Sequence, residues 1–192
     1  MVDEKTSFIE PFAVGIDVVH GIMADPKNVT VRRASDMRGY YEDEKALEEL
    51  ISSEEDPVHY RVFETPVPEE YGHLMFCISK LEPGMVGKEC FMTKGHFHTV
   101  ENTAEVYLCL QGEGYMVMKT TAGEPRAVPM RPNQMVYVPP YWAHRSVNTG
   151  DKPLISFCVY NAEAGHNYGD IKTAGFPTRV YMHDGLPVVE HS

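Results

Sequence analysis

Apolar residues recur at every second position over much of the chain after residue 57. This alternation is typical of half-buried β-strands, because successive side chains of a strand point to opposite faces. Turn signals rich in Gly, Pro, Asn and Asp separate the segments. The predicted strands cover 58–62, 74–78, Glu105–Leu110, Tyr115–Thr120, Met135–Val138, Ser146–Asn148, Leu154–Tyr160 and Arg179–His183. Many short strands without alternating helices predict an all-β jelly roll or small antiparallel β-barrel.

One segment before this region has helical periodicity. Within Glu42–Ser52, the apolar residues from Ala46 to Ile51 recur at i, i+1, i+4 and i+5, and charged residues fill the other face. We therefore predict one short, peripheral helix. It belongs to an N-terminal arm, residues 1–56, and a single β domain follows at residues 57–192.

Composition and charge exclude several functional classes. The 192 residues suit one domain of about 150 residues with modest extensions. The net charge of −11, from 17 Lys and Arg against 28 Asp and Glu, opposes binding to nucleic acid or to anionic membranes. No apolar stretch approaches the roughly 20 residues of a membrane-spanning helix. The N-terminal residues lack the pattern of a secretory signal, so we expect a cytoplasmic protein.

The four cysteines show no spacing that predicts a bridge or a zinc ribbon. Cys77, Cys90, Cys109 and Cys158 are widely separated, form no C-x-x-C pair and have apolar neighbours. Such cysteines are typical of buried free thiols.

Three histidines and one carboxylate are candidate metal ligands. His96 and His98 lie at i and i+2, so an extended segment would direct both rings to one face, close enough to converge on an ion. Glu105 begins the next apolar strand, and in an apolar cavity its carboxylate must be paired, protonated or bound to metal. With His144, these groups suit iron(II), manganese, nickel, cobalt or zinc better than magnesium or calcium. The alternative is a surface histidine pair beside a solvated acid.

The spacing of these residues is similar to the two cupin motifs. His96-x-His98, followed after six residues by Glu105 and after six more by Gly112, resembles the first motif. Residues 139–148 resemble the second. The gap before Glu105 is longer than in the general cupin pattern, which indicates a narrower group.

Four segments resemble the cupin-type glucose-6-phosphate isomerases found in archaea and a few bacteria. These segments are Thr93–His98, Ala104–Tyr107, Tyr137–Arg145 and Ala164–Gly169. The resemblance spans about residues 57–176. It implies a small, metal-dependent cupin that forms homodimers and reversibly interconverts glucose 6-phosphate and fructose 6-phosphate. Iron(II) is the first expectation for the metal, with manganese, nickel or zinc as alternatives.

The resemblance also implies roles for individual residues. His96, His98, Glu105 and His144 would bind the metal. Moving a carbonyl from C1 to C2 requires a stabilised cis-enediolate and a proton shuttle, for which a Lewis acid and one carboxylate suffice. Glu105 is the candidate base, although a metal-assisted hydride shift is an open alternative. By the same resemblance, sugar and phosphate are held by Tyr60, Thr93, the backbone at Gly95, Tyr107, His166 and Tyr168.

Two other functions are compatible with parts of this pattern. A cupin dioxygenase would use the same three histidines and one glutamate, which leave open coordination positions. A non-catalytic, sugar-binding cupin would need no complete ligand set. The polar residues Thr93, Gly95, His166 and Tyr168 favour the isomerase, because an apolar oxygenase substrate needs no phosphate-binding site.

The residue after the last ligand has two interpretations. Arg145 either pairs with an acid behind the metal site or is a solvated strand charge.

Overall fold

The computed structural model describes residues 9–53 and 55–191, most of whose regular structure is strand. The two α-helices of this part are α1 (Glu44–Ser53) and α2 (Gly169–Ala174), and a 3-10 helix spans Ala34–Met37. The strands are β1 (Ile16–Asp17), β2 (Ile22–Met23), β3 (Asn28–Arg33), β4 (Val58–Glu64), β5 (Leu74–Leu81), β6 (Met85–Val86), β7 (Glu89–Cys90), β8 (Glu105–Gln111), β9 (Gly114–Thr120), β10 (Pro125–Met130), β11 (Met135–Val138), β12 (Trp142–Asn148), β13 (Leu154–Asn161), β14 (Thr178–His183) and β15 (Leu186–His191).

Two antiparallel sheets enclose the main core. The larger has the strand order β11-β8-β13-β5-β4-β3, and the smaller has the order β10-β9-β12. Buried apolar side chains of both sheets form one cluster. A sheet of order β15-β14-β7-β6 and the β1-β2 hairpin complete the described strands. The predicted all-β jelly-roll class is confirmed, and the sheets stay open instead of closing into a barrel.

Strand β8 carries the candidate base into the core. Glu105, Tyr107 and Cys109 are buried along one face, and Val106 and Leu108 are half-buried on the other. The alternation predicted for this strand is therefore confirmed. Because β8 lies between β11 and β13, its backbone is paired on both sides and cannot easily turn Glu105 toward solvent.

The helix prediction is confirmed with a shift of about two residues. Helix α1 buries Leu47 fully, and Asp43 Oδ1 accepts a hydrogen bond from the Ala46 N–H at its start. The expectation of only one helix is wrong, since α2 follows the Ala164–Gly169 segment. At six residues α2 is too short to show a helical period, which explains why the pattern did not predict it.

Strand β3 connects the predicted arm to the larger sheet. It pairs with β4 along its whole length, in a register that sets Arg32 opposite Tyr60 and Asn28 opposite Glu64. Its sequence, Asn-Val-Thr-Val-Arg-Arg, alternates as a strand should, but helix α1 separates it in the chain from its partner strand β4. The division at residue 56 stays a prediction, and β3 shows that the sheet extends across it.

Two further expectations from composition can be compared with the structure. No helix in residues 9–53 and 55–191 is long and apolar enough to cross a membrane. All four cysteines are buried and free, which confirms the thiol prediction. The cytoplasmic location stays a prediction.

A buried histidine away from the metal-ligand cluster makes stability depend on pH. His59 is 0% exposed, stacks on Phe91 at 3.8 Å between ring centroids and lies 3.1 Å from the Tyr41 hydroxyl through Nε2. Burial lowers the pKa of His59 to about 4. Protonation is therefore easier in the unfolded chain, where histidine titrates near pH 6.5.

We expect the free energy of unfolding to decrease as the pH falls from about 6.5 toward 4, because over this range the unfolded state binds more protons. The loss reaches about 3 kcal/mol, since each tenfold difference in proton affinity corresponds to about 1.4 kcal/mol. Urea unfolding of the metal-free protein at several pH values measures it. His59→Gln should flatten this dependence, and His183→Gln, at a partly exposed position, should not. Equal slopes in all three proteins would contradict the assignment to His59.

Candidate metal centre and active site

Four side chains predicted as metal ligands lie together. Each side chain offers one ligand atom, and the four atoms lie within 4.8 Å of one another: those of His96, His98, Glu105 and His144. Glu105 Oε2 is 3.2 Å from His98 Nε2 and 2.9 Å from His144 Nε2. Ligand atoms of a single ion lie at most about 4.4 Å apart when its bonds are about 2.0–2.2 Å long, so shifts of a few tenths of an ångström would let all four atoms bind one ion.

A hydrogen-bond chain fixes the orientation of His98. Its Nδ1 lies 2.9 Å from Thr103 Oγ1 and 3.2 Å from the Thr103 carbonyl oxygen. The Thr103 hydroxyl donates its own proton to the Val100 carbonyl, so it accepts from Nδ1–H. This assignment leaves the Nε2 lone pair free on the side of Glu105, as metal-bound histidines require.

Several polar atoms of the cluster are buried without a hydrogen bond. His96 Nε2 and both ring nitrogens of His144 have no such partner within the described chain. His144 Nε2 is close to the Glu105 carboxylate but is not aligned for a hydrogen bond. Buried polar atoms are normally satisfied, so this cluster needs an explanation. A divalent ion would satisfy these atoms, and three imidazoles with one carboxylate suit a first-row transition metal.

The electrostatics of the cluster match the protonation states that metal ligands need. Burial alone raises the pKa of Glu105, but the adjacent His144 and His98 rings lower it by more, so it lies below the usual range. Burial, reinforced by His144, lowers the pKa of His96 well below its usual value. At neutral pH the site therefore combines an anionic carboxylate with a neutral His96 imidazole.

Backbone pairing brings the two motifs together. The His96 N–H donates to the His144 carbonyl at 3.2 Å, and the His144 N–H donates to the His96 carbonyl at 3.1 Å. His96 lies in an isolated bridge to β12 instead of a continuous strand. Gly95 has φ +75°, and a Cβ there would lie 2.8 Å from the Phe176 ring. Only glycine fits this turn into the site without strain.

The six residues predicted to hold the substrate are also brought together. They line one cavity of about 80 Å³ with His96 and Glu105: Tyr60, Thr93, Gly95, Tyr107, His166 and Tyr168. Tyr107 is buried on the same face of β8 as Glu105. Thr93 Oγ1 accepts the Ser146 N–H at 3.1 Å, which leaves the hydroxyl proton free to donate. Their binding roles stay predictions.

A larger chamber of about 700 Å³ adjoins this cavity, and six residues line both spaces: Tyr60, Val62, Glu64, Tyr160, His166 and Tyr168. Arg32 lines the chamber and was not predicted as a site residue. The alternation within β3 was the signal that could have indicated it, because Asn28, Thr30 and Arg32 share one strand face.

Arg145 matches neither interpretation drawn from the sequence. It is 4% exposed, so it is not a solvated charge, and it forms no salt bridge within the described residues. Its guanidinium carbon lies 4.1 Å from the centroid of the Phe176 ring, and Nη1 lies 2.7 Å from Met92 Sδ. Burial lowers the pKa of Arg145 to about 10. The side chain packs behind His144 as a buried cation on an aromatic face.

Curated relatives match nearly the whole chain. A glucose-6-phosphate isomerase of Pyrococcus abyssi is 49% identical over 176 residues, which cover 92% of each chain. The glucose-6-phosphate isomerase of Thermococcus litoralis is 48% identical over 181 residues, which cover 94% of each chain.

Among solved structures, an oxalate oxidase chain is 15% identical with a TM-score of 0.48, over 59% of this chain and 56% of that one. Similarity at this level says nothing about the activity of this chain.

The family model described as glucose-6-phosphate isomerase (GPI) matches residues 31–191, which include the end of β3 and all four candidate ligands. The identity with the archaeal relatives over more than nine-tenths of the sequence indicates the same family. The chain belongs to the glucose-6-phosphate isomerase family.

Proposed function

We propose that this chain interconverts glucose 6-phosphate and fructose 6-phosphate with one divalent transition metal ion bound by His96, His98, Glu105 and His144. The observation that carries the proposal is the convergence of these four ligand atoms within 4.8 Å, at the wall of a polar cavity. Family membership supplies the substrate class.

A bound divalent ion would act as a Lewis acid that polarises the oxygens at C1 and C2 of the sugar. Glu105 takes the proton from C2 of the open-chain glucose phosphate and returns it to C1. Its buried position limits the access of water to the carboxylate, and its fixed strand holds it at one point in the cavity. A hydride shift from C2 to C1 is the alternative route, and it needs no base at carbon. In either route the hydroxyl proton at O2 passes to O1.

The Tyr107 hydroxyl lies beside this reaction centre. Burial raises its pKa well above the usual range, and the nearby Glu105 charge raises it further. It stays protonated at neutral pH and can orient the carboxylate or donate to a sugar oxygen.

The remaining cavity residues hold the rest of the substrate in this proposal. Thr93 and Tyr60 offer hydroxyl groups and Gly95 offers a backbone N–H to phosphate oxygens. His166 and Tyr168 stand at the exposed rim, with their rings stacked at 6.0 Å between centroids. They contact the substrate where it enters.

The metal identity and the assembly are part of the proposal. Iron(II) is the first candidate, and manganese, nickel and zinc suit the same ligands. We propose a homodimer, because Val29 and Val31 on the unpaired edge strand β3 and Val18 and Val19 in the β1-β2 hairpin are exposed. Light scattering measures the assembly directly.

Reconstitution tests the proposed reaction. We expect protein stripped of metal by a chelator to be inactive on fructose 6-phosphate, and one equivalent of iron(II), manganese, nickel or zinc to restore glucose 6-phosphate formation. Oxygen consumption, followed in the same samples, should be zero, which separates an isomerase from a dioxygenase. Full activity without metal would contradict the proposal, as would inactivity with all four ions. A sugar-binding protein would bind the phosphate sugar without converting it.

A further inference from the structure

We propose that Arg32 is a substrate-binding residue whose guanidinium contacts the phosphate group of the sugar phosphate. The inference rests on the proposed function for the identity of the ligand. Arg32, from the N-terminal arm, would add a full positive charge to the predicted substrate-binding residues, which otherwise offer hydroxyl, imidazole and backbone groups.

The position of Arg32 follows from strand register. Residues 28, 30 and 32 share one face of β3, and all three line the 700 Å³ chamber. Arg32 pairs across the sheet with Tyr60, which lines both this chamber and the cavity that holds Glu105. Arg32 therefore lines the chamber beside a residue that belongs to both spaces.

The Tyr60 hydroxyl lies near both Arg32 and the predicted phosphate-binding segment. Burial raises the pKa of Tyr60, and the nearby Arg32 side chain and Lys94 backbone N–H both oppose this increase. Lys94 is the residue between Thr93 and Gly95. Three donors of different kinds, a guanidinium, a backbone N–H and a phenol, thus converge at one point on the cavity wall. Phosphate oxygens accept from such donors, and a guanidinium can make two parallel bonds to them.

The Glu64 carboxylate lines both the chamber and the small cavity, but donors of the chain already occupy its oxygens. Glu64 lies four residues from Tyr60 on β4, which is about 13 Å along the strand. Its Oε1 accepts from the Tyr160 hydroxyl at 3.0 Å and its Oε2 accepts from Asn28 at 2.8 Å. Both carboxylate oxygens therefore have hydrogen-bond donors other than Arg32.

In the described part of the chain Arg32 forms no salt bridge, although it is half-buried in a protein of net charge −11. A half-buried cation without a carboxylate partner at a cavity wall is suited to an anionic ligand.

Arg32→Gln removes the charge and keeps a polar side chain. In the metal-loaded enzyme we expect the KM for fructose 6-phosphate to rise about 10- to 100-fold, the effect of losing a hydrogen bond to a charged group, while kcat changes less than about threefold. The inhibition constant of inorganic phosphate should rise by a similar factor. A merely structural role would lower kcat and leave the affinity for phosphate unchanged.

Arg33→Gln is the matched control. Arg33 is the next residue of β3, is exposed and donates through Nη1 to the Asp56 carbonyl oxygen at 2.9 Å. Its replacement removes the same charge from the opposite face, and should leave KM and phosphate inhibition within twofold of the wild type. Arg32→Lys keeps the charge without the forked geometry, so we expect a smaller loss of about three- to tenfold.

The outcomes separate this inference from the proposed reaction. An active isomerase whose KM and phosphate inhibition are unchanged in Arg32→Gln overturns the role of Arg32 alone. If no metal supports isomerisation, direct calorimetric titration with inorganic phosphate still tests Arg32, and a loss of binding specific to Arg32→Gln supports it. If Arg32→Gln does not fold, Arg32→Lys decides, and unchanged phosphate affinity in that variant overturns the inference.

Discussion

Replacement of His144 by Ala is expected to remove the metal ion and, with it, the isomerase activity. The imidazole is 1% exposed, and both of its ring nitrogens are buried without a hydrogen bond in the described chain. Loss of one of four ligands should weaken binding by more than about 100-fold, since changes to residues behind the ligands already cost 10- to 100-fold. Metal content after gel filtration and competition with a chelator of known affinity measure this loss.

Two controls make the His144 experiment specific. His20→Ala changes an exposed histidine of the β1-β2 turn, whose side chain is 69% exposed, and should retain one ion per chain. Circular dichroism should show that His144→Ala retains its β-strands, because the substitution removes a metal ligand and leaves the backbone pairing of the sheets intact. Stoichiometric metal with unchanged affinity in both His144→Ala and His96→Ala would show that the ion binds elsewhere.

Glu105→Gln is expected to reduce kcat by about 100- to 10,000-fold in protein that still contains metal, the range typical of a lost general base. The amide has nearly the same shape and retains an oxygen that can act as a ligand, but it cannot accept a proton at neutral pH. Activity is therefore normalised to the measured metal content. Glu101→Gln, at an exposed position in the loop before β8, is the control and should be fully active.

Isotope labelling separates the two routes that use this carboxylate differently. If Glu105 carries the proton between C2 and C1, part of it exchanges with solvent, and reaction in D₂O places deuterium at C1 of fructose 6-phosphate. A hydride shift leaves C1 unlabelled. Unlabelled product together with substantial activity of metal-loaded Glu105→Gln would refute the base assignment, while the metal site and the isomerase function would stand.

Local sequence patterns predicted the strands in which one face is more buried than the other. Strands β5, β8 and β13 alternate because one face of each is more buried than the other, and that period is visible in their sequences. Strand β12 begins at Trp142, four residues before its predicted start. The residues before Ser146 alternate poorly, because most of this strand is buried on both faces.

The candidate ligands were found by a different signal. His96 and His98 are near neighbours, so their convergence follows from strand geometry alone. The participation of His144, 46 residues after His98, depended on the resemblance of its segment to a known motif. Arg32 had neither signal, since it lies 28 residues before its cross-strand partner Tyr60 and outside the region of resemblance.

By itself, the sequence determined the all-β class, helix α1 and the buried thiols. It also determined which side-chain groups could bind a metal ion or a substrate. These properties depend on side-chain identity and short-range periodicity, which the chain carries locally. Only the tertiary structure decided that β3 completes the larger sheet, that Arg145 is buried on Phe176, and that Arg32 lines the chamber next to the cavity of Glu105. Strand pairing brings together residues from distant parts of the chain, and register, not local preference, decides which side chains share a face.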